Sequence, residues 1–285
     1  MNRALMTTAL PALLATGVSA GMAGMAATAT TPAQSDTLAL PPGYQLVWAD
    51  EFDRDGLPDP AKWAYDTAMN KQGWHNAELQ YYSASRVENS VVRDGRLLIT
   101  ARREKLKSAP DWGGQAYSSA RLVTRGKADW TYGYFEIRAK LPCGKGTWPA
   151  IWMLNTPIVW PAGGEIDIVE HVGSNPGHVF STLHTAANHA GQGVGNGVQV
   201  PDACSAFHTY QLHWTPRQMR FGIDGRVHHT YANAGTGTAQ WPFDTPEFLI
   251  LNIAVGGHLG GPVDDAVFPA VMEVEYVRVY QSALR

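Results

Sequence analysis

The feature that most constrains this chain is alternation. In YGYFEIRAKL, residues 132–141, Phe135, Ile137, Ala139 and Leu141 alternate with Glu136, Arg138 and Lys140. TYQLHW, residues 209–214, alternates Tyr210, Leu212 and Trp214 with Gln211 and His213, and the closing MEVEYVRVY, residues 272–280, alternates again. A period of two puts apolar side chains on one face of a strand and polar ones on the other. No long stretch keeps the 3.6-residue period of an amphipathic helix. RFGIDGRVHHTY, residues 220–231, carries Asp224-Gly225 between two strand-like runs, a type I′ hairpin signal. FLILNIAV, residues 248–255, is almost continuously apolar and fits a strand buried on both faces. Gly, Pro, Asn and Asp punctuate the runs, and neither a repeat nor an inter-domain linker interrupts them. An all-β sandwich of roughly 245 residues is the simplest reading.

One strand breaks the pattern. GGEIDIVEHVG, residues 163–173, places Glu165, Asp167 and Glu170 among β-branched residues. On a helix, residues five apart lie about 140° apart, so the two Glu would not share a face. On a regular strand Glu165 and Asp167 share a face and Glu170 points the other way. A β-bulge near Ile168-Val169 adds the one residue that returns Glu170 to that face, leaving Ile166 and one of the two following apolar residues for the core. The bland alternative is a polar strand with charges on both sides. Clustered carboxyls repel, which pushes their pKa values apart and lets one hold a proton near neutral pH. Glycoside hydrolysis needs such a pair, one ionised and one protonated, and Asp167 between them could couple the two Glu.

The chain has 285 residues, with 22 Lys+Arg against 25 Asp+Glu, and this near-balance argues against nucleic acid as the main partner and leaves no polybasic patch for a membrane. Its 10 Trp and 11 Tyr suit a core and also suit stacking on flat ligands such as sugar rings. Residues 1–20 read as a signal peptide: Arg3, an apolar run from Ala4 to Val18, then Val18-Ser19-Ala20 as the cleavage site. Residues 21–39 read as a Thr/Ala/Pro-rich spacer and 40–285 as the folded domain. Export to the periplasm or beyond the cell, as a soluble monomer, is the expectation. Cys143 and Cys204 are the only cysteines; in an exported chain they suggest one disulfide, two separate buried thiols being the alternative.

GEIDIVEHVG resembles the E-x-D-x-x-E signature of glycoside hydrolase family 16, in particular its laminarinases, which are endo-β-1,3-glucanases. The resemblance runs over nearly the whole mature chain. LVWADEFD at 46–53, NAELQYYS at 76–83, the long segment from Ser119 to Leu154, LILNIAVGG and MEVEYVRVY all carry it. It implies a jelly-roll β-sandwich of two antiparallel sheets with a substrate cleft along the concave one, and retaining endo-hydrolysis of β-1,3-glucosidic bonds. By that resemblance Glu165 is the nucleophile, Glu170 the general acid/base, and Asp167 their assistant. Trp160 matches a cleft tryptophan that stacks on sugar. Asn76, Arg121, Trp148 and Trp152 match cleft-lining positions, and His184 matches a histidine on the neighbouring strand. Trp152 can equally be core, His184 a structural histidine, and Arg121 a surface ion-pair partner.

The chain also departs from the family pattern. Where laminarinases often carry Trp after a Gly pair, this chain reads Gly256-Gly257-His258-Leu259, and Ala187 stands where an aromatic is common. Both bear on subsite affinity rather than on chemistry. Many members bind a structural calcium; Glu51, Gly95 and Glu275 stand at those places, with Glu275 replacing the more usual Asp. The expected reaction itself needs no cofactor. Three rival readings remain: a non-catalytic β-glucan-binding protein, a glycosidase of the same fold acting on another polysaccharide, and a transglycosylase. The first loses catalytic Glu residues that this chain keeps. Among the second, strict mixed-linkage enzymes carry E-x-D-x-E without the added residue.

Overall fold

The computed structural model describes residues 36–283. The expected signal peptide and most of the spacer lie outside the described residues. The fold reaches back beyond Leu40: Thr37 bridges Arg226, the Leu38 N–H donates to the Gly225 carbonyl at 2.7 Å, and Leu38 is buried. Gly222 makes room for it, since a Cβ there would meet Leu38 Cδ2 at 2.7 Å.

Two sheets form the sandwich. The seven-stranded sheet runs, in spatial order, Val194–Gln199, His178–His184, Glu165–His171, Thr147–Asn155, Glu247–Val255, Arg121–Val123 and Ala64–Tyr65. The ten-stranded sheet runs Arg226–Ala232, Gln218–Ile223, His208–Trp214, Gly133–Lys140, Ala270–Ser282, Arg96–Arg103, Tyr117–Ser119 and Gln80–Tyr82, with Tyr44–Asp50 against Ala270–Ser282 and Ser90–Arg93 against Arg96–Arg103. Pairing is antiparallel except between Gln80–Tyr82 and Tyr117–Ser119. Among the described residues, helical structure is confined to the four-residue turn Gly257–Gly260 and short 3₁₀ turns.

Alternation explains which residues fill the space between the sheets. Phe135, Ile137 and Ala139 are fully buried while Glu136, Arg138 and Lys140 stay half-buried on the outer face. There Arg138 pairs with Glu275 and Lys140 with Glu273, each at 2.6 Å. Facing them across the core stand Ile151, Met153, Leu249, Leu251 and Ile253. The apolar strand Glu247–Val255 is buried along its whole length because both its faces are covered. Leu249, Leu251 and Ile253 enter the main core; Phe248 and Ile250 join Val123, Trp152 and Leu154 in a second cluster on the opposite face. At the Asp224-Gly225 turn both residues have positive φ, 49° and 76°, the geometry a type I′ hairpin demands.

Cys143 and Cys204 form a disulfide with a Cα–Cα distance of 5.7 Å. It ties the segment after Gly133–Lys140 to the segment before His208–Trp214, two strands that are paired neighbours.

Glu51, Gly95 and Glu275 do come to one stretch of the Ala270–Ser282 strand, where Asp50 faces Val277 and Leu97 faces Val274. Their carboxylates are committed elsewhere. Arg278 holds Glu51 through two 2.8 Å hydrogen bonds, and Arg138 holds Glu275. Gly95 completes the Arg93–Arg96 hairpin turn at φ 71°. Two carboxylates each satisfied by a guanidinium do not fit a calcium ion, which wants several free oxygens.

Candidate active site

The site is built on the Glu165–His171 strand, and its register fixes which side chains share a face. Glu165 lies opposite His184 and Leu154, and Asp167 opposite Thr182 and Trp152. The pairing then slips, and Glu170 lies opposite Phe180 and Ala150. Two residues, Ile168 and Val169, stand against one residue on each neighbour, which is a β-bulge at the position the spacing of the acids requires. Cross-strand partners share a face, and 184, 182 and 180 keep parity on their strand, as do 154, 152 and 150 on theirs. Glu165, Asp167 and Glu170 therefore lie on one face, the side turned away from the ten-stranded sheet. Ile166, Ile168 and Val169 all enter the main core, so the bulge buries both of its residues rather than one.

Two indoles hold the two glutamates. The Trp160 Nε1–H donates to Glu165 Oε2 at 2.6 Å, and the Trp148 Nε1–H donates to Glu170 Oε1 at 2.9 Å. His184 Nε2 lies 3.4 Å from Asp167 Oδ2. Asp167 is nearly inaccessible, Glu170 is buried and Glu165 half-buried. Burial pushes the Glu165 carboxyl up to about 8, with Asp167 adding to the rise and His184, the Trp160 N–H and Arg121 opposing it. Burial pushes Glu170 up to about 7, against the pull of the Trp148 N–H. Asp167 is raised well above the carboxylate range by burial and then by Glu170. Three carboxyls in one dry site cannot all ionise, so the site keeps protons near neutrality. The hydrogen bond between Glu165 and Asp167 lowers Asp167, and Glu165 lies above Glu170, so the shifts favour a proton on Glu165 at rest. The minority arrangement, with that proton moved to Asp167 and Glu170 protonated, is the one that holds an ionised nucleophile and an acid together.

The remaining sequence-derived residues divide. Arg121, paired with Asn252 across the sheet, lies with its guanidinium 5.0 Å from the Trp74 ring and 4.7 Å from the Trp152 ring, and its Nε is 3.2 Å from Asp66. It is a half-buried, aromatic-stacked cation on the cleft face rather than a surface ion pair. Trp152 serves both readings: it packs in the second apolar cluster, and its Nε1–H donates to Asn252 Oδ1 at 2.7 Å. Trp160, 41% exposed, offers ring surface beside Glu165. Asn76 sits exposed in the His75–Ala77 turn at φ 59°, where its side chain bonds Glu78.

Two residues of this neighbourhood escaped the sequence reading. Trp74 supplies the second ring against Arg121. Glu247 is fully buried, its carboxyl raised well above the usual range by burial, and its charge raises Asp167 in turn. An acid heading a strand that is otherwise apolar except for Asn252 was the available signal for Glu247.

Known proteins similar to this chain include glycoside hydrolases. The family model for glycosyl hydrolases family 16 matches residues 75–278. A β-glucanase of Rhodothermus marinus is 50% identical over 261 residues, covering 87% of this chain and 88% of that protein. Among solved structures, SCLam, a non-specific endo-β-1,3(4)-glucanase, superposes with a TM-score of 0.85 at 52% identity, over 86% of this chain and 94% of that one. The laminarinase from Rhodothermus marinus superposes with a TM-score of 0.78 at 50% identity, over 84% of this chain and 97% of that one.

Proposed function

The chain belongs to glycosyl hydrolases family 16, and from that premise and the geometry of the acidic strand we propose a retaining endo-hydrolase of β-1,3-glucosidic bonds in β-glucans. It is a jelly-roll glycoside hydrolase, and among its relatives are a β-glucanase, a glucan endo-1,3-β-glucosidase, an endo-β-1,3(4)-glucanase and a laminarinase. The observation that carries the mechanism is the bulge that brings Glu165, Asp167 and Glu170 to one face, each Glu bonded by its own indole.

In the first step Glu165 attacks the anomeric carbon while Glu170 gives its proton to the departing glycosidic oxygen, forming a glycosyl ester on Glu165. In the second, Glu170, now ionised, takes a proton from water, which attacks the same carbon and releases Glu165. Asp167 takes up the proton that Glu165 gives up and donates it back toward that carboxylate, which stabilises the ionised nucleophile before attack and after release. Burial of the acids strengthens these interactions by excluding water. No step calls on a metal or other cofactor. Trp160 stacks on the sugar next to the scissile bond, and Arg121 steadies the aromatic wall formed with Trp74 and Trp152. The signal-like N-terminus supports an exported enzyme meeting polymer outside the cytoplasm.

Two measurements test this reading. NMR of the first products from laminarin should show the β-anomer before mutarotation; an α-anomer appearing first overturns the role of Glu165. Reducing-sugar release should be highest on β-1,3-glucan and present on mixed-linkage glucan. Cellulose or agarose as the best substrate of the panel would refute the assignment.

A further inference from the structure

Two irregular strands meet behind the catalytic acids. The first irregularity is the bulge of Ile168 and Val169, which stands opposite Ser181 on the neighbouring strand. Ser181 is fully buried and faces the space between the sheets, as do its strand mates Val179 and Leu183. Its hydroxyl donates to the Ile168 carbonyl at 2.7 Å. The second irregularity lies in the outermost strand of the other sheet. There Phe221 faces His229 while Gly222 faces Val227, so His228 is an added residue. That added residue turns its ring inward, and His228 Nε2 lies 2.9 Å from Ser181 Oγ.

Proton counting orders the three groups. Ser181 spends its single hydrogen on the Ile168 carbonyl, so it must accept from His228. His228 is therefore the tautomer with hydrogen on Nε2, and its Nδ1 is buried without a partner. Burial pushes the imidazole down to about 4, with His229 adding to the shift, which keeps the ring neutral as this tautomer requires. The strand is pinned from both sides: Asn196 Nδ2 donates to the His228 carbonyl at 2.6 Å, and His229 stacks on Phe221.

We propose that Ser181 and His228 are positioning residues for Glu170: by holding the Ile168 carbonyl they fix the bulge that turns Glu170 onto the face of Glu165 and Asp167. A bulge takes backbone groups out of the ladder, and a buried carbonyl left unpaired would favour a relaxed strand. Ser181 satisfies that carbonyl, and His228, brought inward by its own bulge, fixes the hydroxyl rotor so that its hydrogen points one way. The proposal rests on Glu170 being the general acid/base, since its consequence is a misdirected proton donor.

The test compares kcat/KM, which reports the first step in which Glu170 acts as acid, on laminarin and on an aryl β-1,3-oligoglucoside whose leaving group needs little protonation. Ser181→Ala should lower kcat/KM on laminarin about tenfold, as misplacement of a catalytic group does, with a much smaller loss on the aryl substrate. His228→Leu should behave alike, and the double variant should be no worse than either single one, because both break one relay. His228→Gln keeps an N–H donor and should recover most of the laminarin activity. If Ser181→Ala does not fold, the His228→Leu and His228→Gln pair carries the same comparison. Glu170→Gln is the reference and should show the same split, enlarged. No split in that reference overturns the acid assignment itself. A split there with equal losses on both substrates, or no loss, in the Ser181 and His228 variants overturns the relay alone.

Discussion

The Trp148 indole donates its only hydrogen to Glu170 from the strand immediately beside it, at 2.9 Å. Trp160, from the loop before the catalytic strand, does the same to Glu165 at 2.6 Å. The two bonds act on groups with opposite duties. A donor to a carboxyl oxygen favours the ionised form, which suits a nucleophile and works against an acid. Burial outweighs the Trp148 bond and leaves Glu170 up at about 7, high enough to carry a proton into the reaction.

Replacing either indole by Phe keeps a ring and removes the donor. Losing a hydrogen bond to a charged group should raise each glutamate by on the order of one pKa unit. Glu165, at about 8, lies above Glu170, at about 7, so the alkaline limb of the kcat/KM profile follows Glu165 and the acidic limb follows Glu170. Trp160→Phe should therefore move the alkaline limb to higher pH, and Trp148→Phe the acidic limb. pH–rate profiles on laminarin check this; a shift of the other limb in either variant would reverse the order in which the two acids titrate.

Glu165→Gln keeps the shape of the nucleophile and removes its charge. Turnover should fall by on the order of 10⁴-fold or more, as losses of a covalent nucleophile do. In Glu165→Gly, where the side chain is removed, added azide should restore some turnover on an activated aryl glycoside, because a small anion can occupy the vacated space. Near-wild-type hydrolysis by the Gln variant, measured after removal of any contaminating wild-type enzyme, would rule out the role of Glu165.

Much of this was legible from the residues, for reasons that can be traced. The parity of Glu165, Asp167 and Glu170 is broken by one residue, and only a bulge repairs it, so the common face could be read without coordinates. The alternation in YGYFEIRAKL likewise predicts the burial of Phe135, Ile137 and Ala139. What depended on long-range register was hidden. The bond between Trp148 and Glu170 joins residues 22 apart, and Arg121 lies between Trp74 and Trp152 because three separate segments converge. The arginines that occupy Glu51 and Glu275 come from other strands and could not be assigned by position alone. The inward turn of both Ile168 and Val169 follows from the bulge's local geometry, which sequence spacing does not specify.

The disulfide between Cys143 and Cys204 spans a sequence separation of 61 residues. Closing a loop of that length stabilises by about 4 kcal/mol in the chain-entropy model, through the unfolded state. Cys204→Ser, or reduction under native conditions, should lower Tm by several degrees while leaving the pairing of the strands intact. Thermal unfolding with and without reductant, beside a thiol count on the denatured unreduced protein, checks it. Two free thiols in that count would remove the basis of the prediction.

The acids that run the chemistry should weaken the fold at alkaline pH. Glu165 and Glu170 are raised from 4.5 to about 8 and about 7 in the folded protein. Between pH 4.5 and 8 the native state therefore holds protons that the unfolded chain has released. When the native state binds more protons, the free energy of unfolding falls as pH rises. The favourable contribution is complete below the unfolded pKa and is lost as pH climbs through the folded values. Glu170→Gln removes one of these groups while still accepting from Trp148, so it should raise Tm at pH 8 by a few degrees and change it little at pH 4.5. Calorimetry of both proteins at the two pH values decides. A variant equally stabilised at both, or destabilised at pH 8, would mean that Glu170 does not carry the shifted proton.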